Sequence, residues 1–463
     1  MTLRLHDTRT GRVEEIVPAT HRLLRIYACG PTVYRDAHVG NMRSFLLPDL
    51  IGRVARRQGW RVDLVMNITD VGHLVEQDAG GVSGEDKIVG QARAEGRSIA
   101  EVAAFYEERF HADLAALNIT PARRYPKASE CIGIMLELTE RLIAQGHAYV
   151  DDERNVWFDA RSFDGYGAIS HNRLDALQPS ESEAGAGKRF HADWALWKAT
   201  TPEAPVVFES PWGPGFPGWH LECSAMSLAD LGEHIDIHTG GIDLRFPHHE
   251  DERAQTEAAV GHEVVRHWVH GEHILFEGRK MAKSTGNVVL VRDVIERGLD
   301  PLAIRLAFLR TRYRQQTDLS WDAIEAADKA LRRWRTEVAR WAESPSRPMN
   351  ASYAGRIEQA FADDLDTPRA VVALQDLVAD SSVDEGSRFE TAASLDDLFG
   401  LDLVRDVGRA PDALPTGARE LLDERAQARQ RKDFETSDRL RDDLAALGVQ
   451  VTDSQEGQRW SVR

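Results

Sequence analysis

The sequence predicts an α/β protein in which a parallel-sheet domain is interrupted by an insertion and followed by a helical bundle and a small C-terminal module. Strand-like and helix-like apolar patterns alternate over the first third of the chain, which is typical of parallel strands joined by crossover helices. The alternation stops near residue 119, returns near Trp219, and becomes helical after Asp300 and Pro301. We therefore expect domain segments at 1–118, 119–217, 218–300, 301–405 and 406–463.

Two strands and a helix begin the sheet domain. Residues 24–28 form an apolar strand that ends at Cys-Gly-Pro, and residues 64–68 form a second strand. Between them the apolar residues are spaced as on one face of a helix: Phe45, Leu46, Leu50, Ile51 and Val54. Pro48 lies within this helix and predicts a kink, because proline has no N–H to donate.

The insertion differs from its surroundings in composition. It contains Asn-Val-Trp-Phe at 155–158, a polar stretch at 180–188 and a cluster of prolines and glycines at 211–217. Such clusters mark loops between short elements.

Helical periodicity dominates after residue 301. One apolar stripe steps by three and four residues, which predicts a packed helix of a bundle: Ile324, Ala327, Leu331, Trp334, Val338 and Trp341. Thr367 and Pro368 start another helix, and residues 420–447 predict one long charged helix that ends at Gly448. Residues 449–452 and 458–462 predict a terminal hairpin.

Composition excludes several classes of protein. Lysine and arginine number 57 against 75 acidic residues, so the net charge is -18 and a nucleic-acid partner would require local basic surfaces. No apolar run approaches the ~20 residues of a membrane span, and the charges in the first 20 positions argue against a secretory signal. Three cysteines exclude a disulfide scaffold and favour a reducing cytoplasm.

The first candidate site is a strand end that leads into a helix, with Cys-Gly-Pro-Thr-Val-Tyr at 29–34 and His-Val-Gly-Asn at 38–41. Helix N-termini bind phosphates through free N–H groups and the helix dipole. Gly40 would let the backbone approach a phosphate, and His38 would donate a hydrogen bond to it. A capped loop with a buried histidine explains the same residues.

A second candidate site is the run Arg-Lys-Met-Ala-Lys-Ser-Thr-Gly-Asn at 279–287. Lys283 on a loop could neutralise the charge that builds up on a transferring phosphate, with Lys280 beside it. A split nucleotide site in a sheet domain needs one element from each half, and this run and His38 lie on opposite sides of the insertion. Alone, the lysine pair also fits a solvated loop.

A third candidate is a metal site. His248 and Glu252 are four residues apart and share one face of a helix, while Cys29 and Cys223 offer thiolates. Two cysteines, one histidine and one glutamate form a reasonable zinc set, although no CxxC pair is present. Two buried free cysteines beside a solvated helix face are the alternative.

Together these motifs resemble the cysteinyl-tRNA synthetases, a family of class I aminoacyl-tRNA synthetases, nearly end to end. The runs at 38–41 and 280–284 are similar to motifs that many class I synthetases share. Gly-Trp-His-Leu-Glu-Cys at 218–223 and the run from His238 to Glu252 are more specific to the cysteine enzyme. The resemblance implies a Rossmann-like catalytic domain and an anticodon-binding module at 406–463.

The resemblance also implies residue roles by position. One Zn²⁺ per chain would be held by Cys29, Cys223, His248 and Glu252. The cysteine pocket would be formed by Thr69, His111, Trp219 and Asp243. ATP, which carries Mg²⁺, would be bound by His38, Gly40, Asn41, Lys280 and Lys283. The catalytic residues among these would be Lys283, His38 and Lys280.

The implied reaction is ATP-dependent formation of cysteinyl-adenylate and transfer of cysteine to tRNA(Cys). A shaped pocket separates serine from cysteine by only ~10²-fold, whereas a thiolate-binding metal also separates them by softness. The implied partners are tRNA(Cys), L-cysteine and ATP, for a cytoplasmic monomer without membrane contact.

Local basic residues at the start of the helical region predict a phosphate-binding strip, with Arg332 and Arg333 as tRNA contacts. The strip consists of Arg310, Arg312, Arg314, Lys329, Arg332, Arg333, Arg335 and Arg340. A solvated helix face is the alternative. Trp460 either stacks on a base or closes the small core of the terminal hairpin.

Some residues depart from the family pattern, and rival functions remain. Gly72 and His73 replace an acidic pair before a longer segment, and Ala282 replaces a serine. One rival is a homologous ligase that joins cysteine to an aminosugar and lacks the anticodon module. The others are a zinc hydrolase built on His248, His249 and Glu252, and a catalytically silent RNA-binding paralogue.

Overall fold

The computed structural model describes residues 2–71, 87–177, 187–281, 287–409, 415–454 and 457–462. The predicted catalytic Lys283 lies outside these ranges, as do Ala282, Ser284 and the unusual segment that begins at Gly72. No helix within the described ranges is both long and apolar enough to cross a membrane.

The secondary structure elements are numbered in chain order. The strands are β1 (Arg4–Asp7), β2 (Arg12–Glu15), β3 (Leu23–Ala28), β4 (Arg61–Met66), β5 (Ala148–Val150), β6 (Val156–Phe158), β7 (Trp194–Ala199), β8 (Gly215–Pro217), β9 (Ile235–Gly241), β10 (Val265–Gly271), β11 (Ile274–Phe276), β12 (Arg279–Lys280), β13 (Thr317–Leu319), β14 (Val449–Ser454) and β15 (Gly457–Val462). The helices are α1 (Val39–Arg57), α2 (Lys87–Glu95), α3 (Ile99–Ala116), α4 (Ile132–Ala144), α5 (Trp219–Leu231), α6 (His248–Val260), α7 (Val291–Glu296), α8 (Leu302–Leu309), α9 (Trp321–Trp341), α10 (Ala351–Ala362), α11 (Thr367–Ala379), α12 (Glu385–Phe399), α13 (Ala418–Gln430) and α14 (Phe434–Ala446).

A four-stranded parallel sheet organises the first part of the molecule, in the order β10-β9-β3-β4. Ala28, at the end of β3, lies opposite Met66 on one side and Thr239 on the other. All residues of β9 are buried, as expected for a parallel strand covered on both faces. The α/β fold predicted from the sequence is confirmed, and α1 continues through Pro48 to Arg57.

The two halves of this sheet are separated in sequence by α4 and a four-stranded antiparallel sheet, in the order β5-β6-β7-β8. Its tryptophans Trp157, Trp194 and Trp197 are buried, and Trp197 shares one cluster with residues of α5 and α6. The chain returns to the parallel sheet at Trp219, where α5 begins. The antiparallel sheet therefore lies against the helices that carry the second half of the candidate site.

The C-terminal part is helical, and its packing confirms the predicted apolar stripe of α9. All six stripe residues are at most 1% exposed, from Ile324 to Trp341. Asp300 accepts a hydrogen bond from the Leu302 backbone at 2.9 Å and so caps α8. Thr367 begins α11, as predicted.

The prediction of one long helix over 420–447 is wrong. The segment forms two helices, α13 and α14, because Lys432 has a left-handed backbone (φ 59) that stops the first helix. Asp433 then caps the second helix by accepting from the Thr436 backbone at 3.1 Å. The terminal hairpin is confirmed, since β14 and β15 pair antiparallel.

Candidate functional site

The four predicted metal ligands converge on one point. Cys29 follows β3, Cys223 lies in α5, and His248 and Glu252 lie in the first turns of α6. Their ligand atoms all lie within 4.8 Å of one another, and each residue is at most 8% exposed. Three separate elements therefore bring the four side chains together, as the resemblance implies.

The distances within this group suit a single zinc ion. The Sγ atoms of Cys29 and Cys223 are 3.9 Å apart. Two thiolates that bind one tetrahedral zinc at about 2.3 Å would be about 3.8 Å apart. His248 Nε2 and Glu252 Oε1 are 2.9 Å apart, so both face the same point as the sulfur atoms. Donor chemistry and spacing therefore fit the ion.

A partner on the far side of the His248 ring orients it. His248 Nδ1 lies 2.7 Å from His220 Nδ1, which leaves Nε2 directed toward Glu252. His220 in turn lies 3.4 Å from the buried Asp251 carboxylate. Such partners fix the ring orientation of metal-binding histidines. The sequence analysis did not predict His220 as a site residue, although it follows Trp219 in the motif at 218–223.

Further buried histidines surround Cys29: His238 was not predicted as a site residue, and His249 was considered only for the rival hydrolase. The Cys29 Sγ lies 3.4 Å from His238 Nε2 and 3.3 Å from His249 Nε2. His249 Nδ1 is hydrogen-bonded to His270 Nε2 at 2.8 Å. His238 and His249 complete a second donor set that overlaps the first and shares Cys29 and Glu252 with it. The available signal was a histidine within a buried strand for His238, and a position directly after a predicted ligand for His249.

Burial sets the protonation of this cluster. It raises the pKa of the Cys29 thiol and of the Glu252 carboxyl well above their usual ranges. It lowers the pKa of His238 and His249 well below the usual range, so both rings are neutral near pH 7. A bound dication would offset the cost of charge here, because its field favours thiolate and carboxylate.

Two of the four predicted metal ligands, Cys29 and His248, line a cleft of about 640 Å³. The cleft is lined by predicted residues of all three kinds: Cys29, His38, Gly40, Asn41, Trp219, Asp243, His248 and Lys280. The two halves of the sheet domain thus contribute to one cavity. His38 and Lys280, one from each half of the sheet domain, line the same cleft, as the interpretation of a split nucleotide site requires.

His38 caps the helix that faces the cleft. Its Nδ1 accepts from the Asn41 backbone N–H at 3.1 Å, and the Asn41 side chain accepts from the His38 backbone N–H at 3.1 Å. With Nδ1 used as an acceptor, the neutral ring carries its proton on Nε2. Burial, aided by the nearby Arg35 charge, lowers the pKa of His38 to about 4. The ring is therefore a neutral donor at physiological pH.

A side chain at Gly40 would press on two neighbouring side chains. A Cβ there would lie 2.7 Å from Met281 Cε and 3.0 Å from His38 Nδ1. Met281 is buried directly after Lys280, which ends the short strand β12. Gly40 therefore lets the end of this strand pack against the start of α1. Contact between these two predicted ATP elements was not deducible from sequence spacing.

The predicted cysteine pocket is divided in the structure. Trp219 and Asp243 line the cleft, and the Trp219 ring lies 4.2 Å from that of His248. Thr69 lies behind the lining and donates to the buried Glu222 carboxylate at 2.8 Å. His111 packs on the Tyr125 ring at 4.6 Å and is not among the described residues that line the cleft.

The predicted basic strip is largely paired with acidic residues, and the prediction is wrong for Arg335. Its side chain is 3% exposed and pairs with Asp300, because α9 packs this face into the bundle. Arg312, Arg314 and Arg340 pair with acidic partners as well.

The two arginines predicted to contact tRNA differ in their pairing. Arg332 lies 2.7 Å from Asp328 but remains 44% exposed, and Arg333 is exposed.

Trp460 belongs to the small core of the C-terminal module. It lies opposite Val451 in the hairpin and packs with Ala418, Leu422 and Leu444. The structure thus places it where the packing interpretation requires.

Two family models match the chain. One is described as the class I (C) catalytic domain of tRNA synthetases and matches residues 15–329. The other is described as the anticodon-binding domain of cysteinyl-tRNA ligase and matches residues 411–460. The first match alone covers more than half of the chain.

Curated relatives and solved structures agree with these matches. A cysteine--tRNA ligase of Thermus thermophilus is 42% identical over 99% of each chain, and that of Treponema denticola is 35% identical over 99% of each. A solved methionyl-tRNA synthetase of Mycobacterium tuberculosis, bound by methionyl-adenylate, has a TM-score of 0.56 at 17% identity, and the match covers 89% of this chain and 96% of that one. That likeness supports the class I fold. The chain therefore belongs to the cysteine--tRNA ligases, a family of class I aminoacyl-tRNA synthetases.

Proposed function

We propose that this chain activates L-cysteine with ATP and transfers it to tRNA(Cys), and that one zinc ion selects the amino acid. The observation that carries the proposal is the convergence of Cys29, Cys223, His248 and Glu252 beside a cleft that Cys29 and His248 line together with His38, at the start of α1. A thiolate-binding group and a phosphate-binding group in one cavity suit a reaction between cysteine and a nucleotide.

Zn²⁺ held by these four side chains would bind the substrate thiolate and so favour sulfur over the hydroxyl oxygen of serine. The protein residues around it give the substrate its orientation. Asp243 lines the same cleft as the ligands and offers a carboxylate to the substrate ammonium group. The Trp219 ring, packed on His248, forms an apolar wall beside the thiol position.

Adenylate formation requires no nucleophile from the protein. The substrate carboxylate attacks the α-phosphorus of ATP, an O–P bond forms, and pyrophosphate leaves with its electron pair. The neutral His38 ring would donate its Nε2 proton in a hydrogen bond to a phosphate oxygen, next to the free N–H groups of α1. Lys280 lines the cleft, and Lys283 follows it on the loop that the resemblance assigns to ATP.

Transfer then joins cysteine to RNA. A ribose hydroxyl of the terminal adenosine of tRNA attacks the carbonyl carbon of the adenylate, and AMP leaves. The anticodon-binding match at 411–460 supports a tRNA acceptor over an aminosugar. Arg332 and Arg333 remain proposed contacts to tRNA phosphates, and the protein is proposed to act as a cytoplasmic monomer with Mg²⁺-bound ATP as substrate.

The decisive experiment measures zinc content and cysteine-dependent ATP–pyrophosphate exchange on the same purified protein. We expect zinc at the four-ligand site and exchange that requires cysteine, followed by charging of tRNA(Cys). Cys223→Ser should lose that zinc and the exchange while keeping the fold, as judged by circular dichroism. Cys131→Ser is the matched control, because Cys131 is a buried cysteine at the start of α4 that belongs to neither donor set around Cys29.

Three outcomes would contradict the proposal. Exchange at the wild-type rate in Cys223→Ser would remove the metal from the mechanism. Exchange without tRNA charging, but with charging of an aminosugar, would favour the homologous ligase. Absence of exchange together with hydrolytic or RNA-binding activity would favour one of the other two functions.

A further inference from the structure

A second group of metal-binding side chains lies at the edge of the parallel sheet. It consists of Asp7 at the end of β1, Glu14 in β2 and His267 in β10. One ligand atom from each lies within 4.8 Å of the other two, and His267 Nδ1 is 3.8 Å from Glu14 Oε2. None of these residues belongs to the donor sets around Cys29.

This group lies on the opposite face of the sheet from the cysteine and histidine cluster around Cys29. Successive side chains of a strand point to opposite faces of a sheet. Trp268, the neighbour of His267, stacks on His238 at 4.7 Å and so points toward the cluster below the cleft. His267 therefore points to the opposite face of β10, where the hairpin of β1 and β2 packs.

Two of the three donors are buried with an atom that makes no hydrogen bond. Asp7 Oδ2 and His267 Nδ1 are both inaccessible, and their residues are 0% and 9% exposed. Asp7 Oδ1, in contrast, accepts from the backbone N–H groups of Arg9 at 3.0 Å and Trp268 at 3.1 Å. One carboxylate oxygen is thus used to attach the hairpin to the sheet edge, and the other is directed into the group.

The nearby Arg9 side chain does not donate a hydrogen bond to Asp7 Oδ2. Arg9 Nε lies 3.8 Å from Asp7 Oδ2, which is beyond hydrogen-bond reach. The rest of its guanidinium is engaged elsewhere, with Glu263 at 2.8 Å and the Arg266 carbonyl at 3.1 Å. A buried carboxylate oxygen without a hydrogen bond is costly, and a bound cation would remove that cost.

We propose that Asp7, Glu14 and His267 bind a divalent transition-metal ion, separate from the ion at Cys29. Two carboxylates and one imidazole form a donor set that suits Zn²⁺. The 3.8 Å between His267 Nδ1 and Glu14 Oε2 is compatible with two bonds of about 2.0–2.2 Å to one ion. The Glu14 side chain is 34% exposed, so the ion can enter and keep water ligands on that side. The bound ion links the N-terminal hairpin to the edge strand of the sheet.

The test counts zinc in the holoprotein after equilibrium dialysis against buffered free zinc, by elemental analysis. We expect two zinc ions per chain, falling to one in Glu14→Gln and in His267→Asn. The control is His262→Gln, since His262 forms an exposed pair with Glu233 at 3.3 Å and should leave the count at two. Cys223→Ser should remove the other ion, so the two sites are scored independently.

A second measurement keeps the proposal testable if a variant folds poorly. Added zinc should raise the Tm of the wild-type protein and of His262→Gln, because an ion that binds only the folded state stabilises it. The shift should be smaller in Glu14→Gln, where only the ion at the Cys29 site can still bind. We expect the affinity of the second site to fall about tenfold or more in that variant. A zinc count of one in the wild-type protein that disappears in Cys223→Ser would overturn the proposal, as would equal counts in Glu14→Gln and His262→Gln.

Discussion

Replacement of His38 separates its two roles, helix cap and phosphate donor. His38→Ala removes both, whereas His38→Asn keeps an acceptor for the Asn41 backbone N–H, which in the native protein lies 3.1 Å from His38 Nδ1. Only the donor at the Nε2 position is missing in the asparagine variant. Stability and activity should therefore respond differently to the two substitutions.

The magnitudes follow from the interactions that are lost. Loss of the cap in His38→Ala should lower the free energy of unfolding by about 1 kcal/mol, while His38→Asn should stay within about 0.5 kcal/mol of wild type. Loss of a donor to a transition-state phosphate should slow adenylate formation by about 10²–10³-fold in both variants. Urea denaturation measures the first quantity and ATP–pyrophosphate exchange the second.

Wild-type exchange in His38→Asn would refute the donor role and leave His38 as a cap alone. Equal losses of stability in both variants would refute the cap.

The pH dependence of exchange gives an independent check on His38. Because its pKa is lowered to about 4, the ring is neutral above that value and its Nδ1 can accept from the Asn41 backbone. As pH falls through about 4, protonation of Nδ1 breaks the cap and the activity due to His38 is lost. We expect His38 to cause no inflection in the pH profile of exchange between about pH 5 and 8, although an unperturbed histidine would titrate at about pH 6.5. An inflection at about pH 6.5 that disappears in His38→Asn would contradict the structure.

Three further substitutions test Lys283, the contact between Gly40 and Met281, and the buried ion pair between α1 and α8. Lys283→Ala should slow exchange by about 10²-fold with little change in cysteine affinity, and equal losses in both would argue against a transition-state role. Gly40→Ala should lower exchange because its Cβ would lie 2.7 Å from Met281 Cε, and an unchanged KM for ATP with unchanged kcat would show that the contact is dispensable. Arg305→Met should cost about 3–5 kcal/mol in urea denaturation, since Arg305 and Asp49 are both fully buried and paired at 2.7 Å. Arg305 also donates to the Phe399 and Leu117 carbonyls at 2.6 and 3.0 Å, and a loss below about 1 kcal/mol would mean that these buried interactions do not set the stability here.

Local patterns were predicted well from the sequence. The strand before Cys29, the α9 stripe and the terminal hairpin follow from apolar periodicity and turn residues, which act over a few neighbouring positions. The prediction failed at Lys432, where the charged pattern continues across two helices and only the left-handed backbone shows the break. The prediction of Arg335 as a phosphate contact failed for a related reason. The sequence around a basic helix residue does not show that it will pair with a buried aspartate from another segment, here Asp300.

The candidate site shows the same division between local and long-range information. Residue chemistry and the family resemblance named the four proposed metal ligands, and the motifs at 38–41 and 280–284 named the proposed ATP elements. The sequence by itself therefore determined which chemical groups are present and which local elements carry them. Only the tertiary structure decided that His220 orients His248, that His238 and His249 surround Cys29, and that Asp7 meets His267. The physical reason is that these contacts join residues far apart in the chain, and their distances depend on how the sheet, helices and hairpin pack.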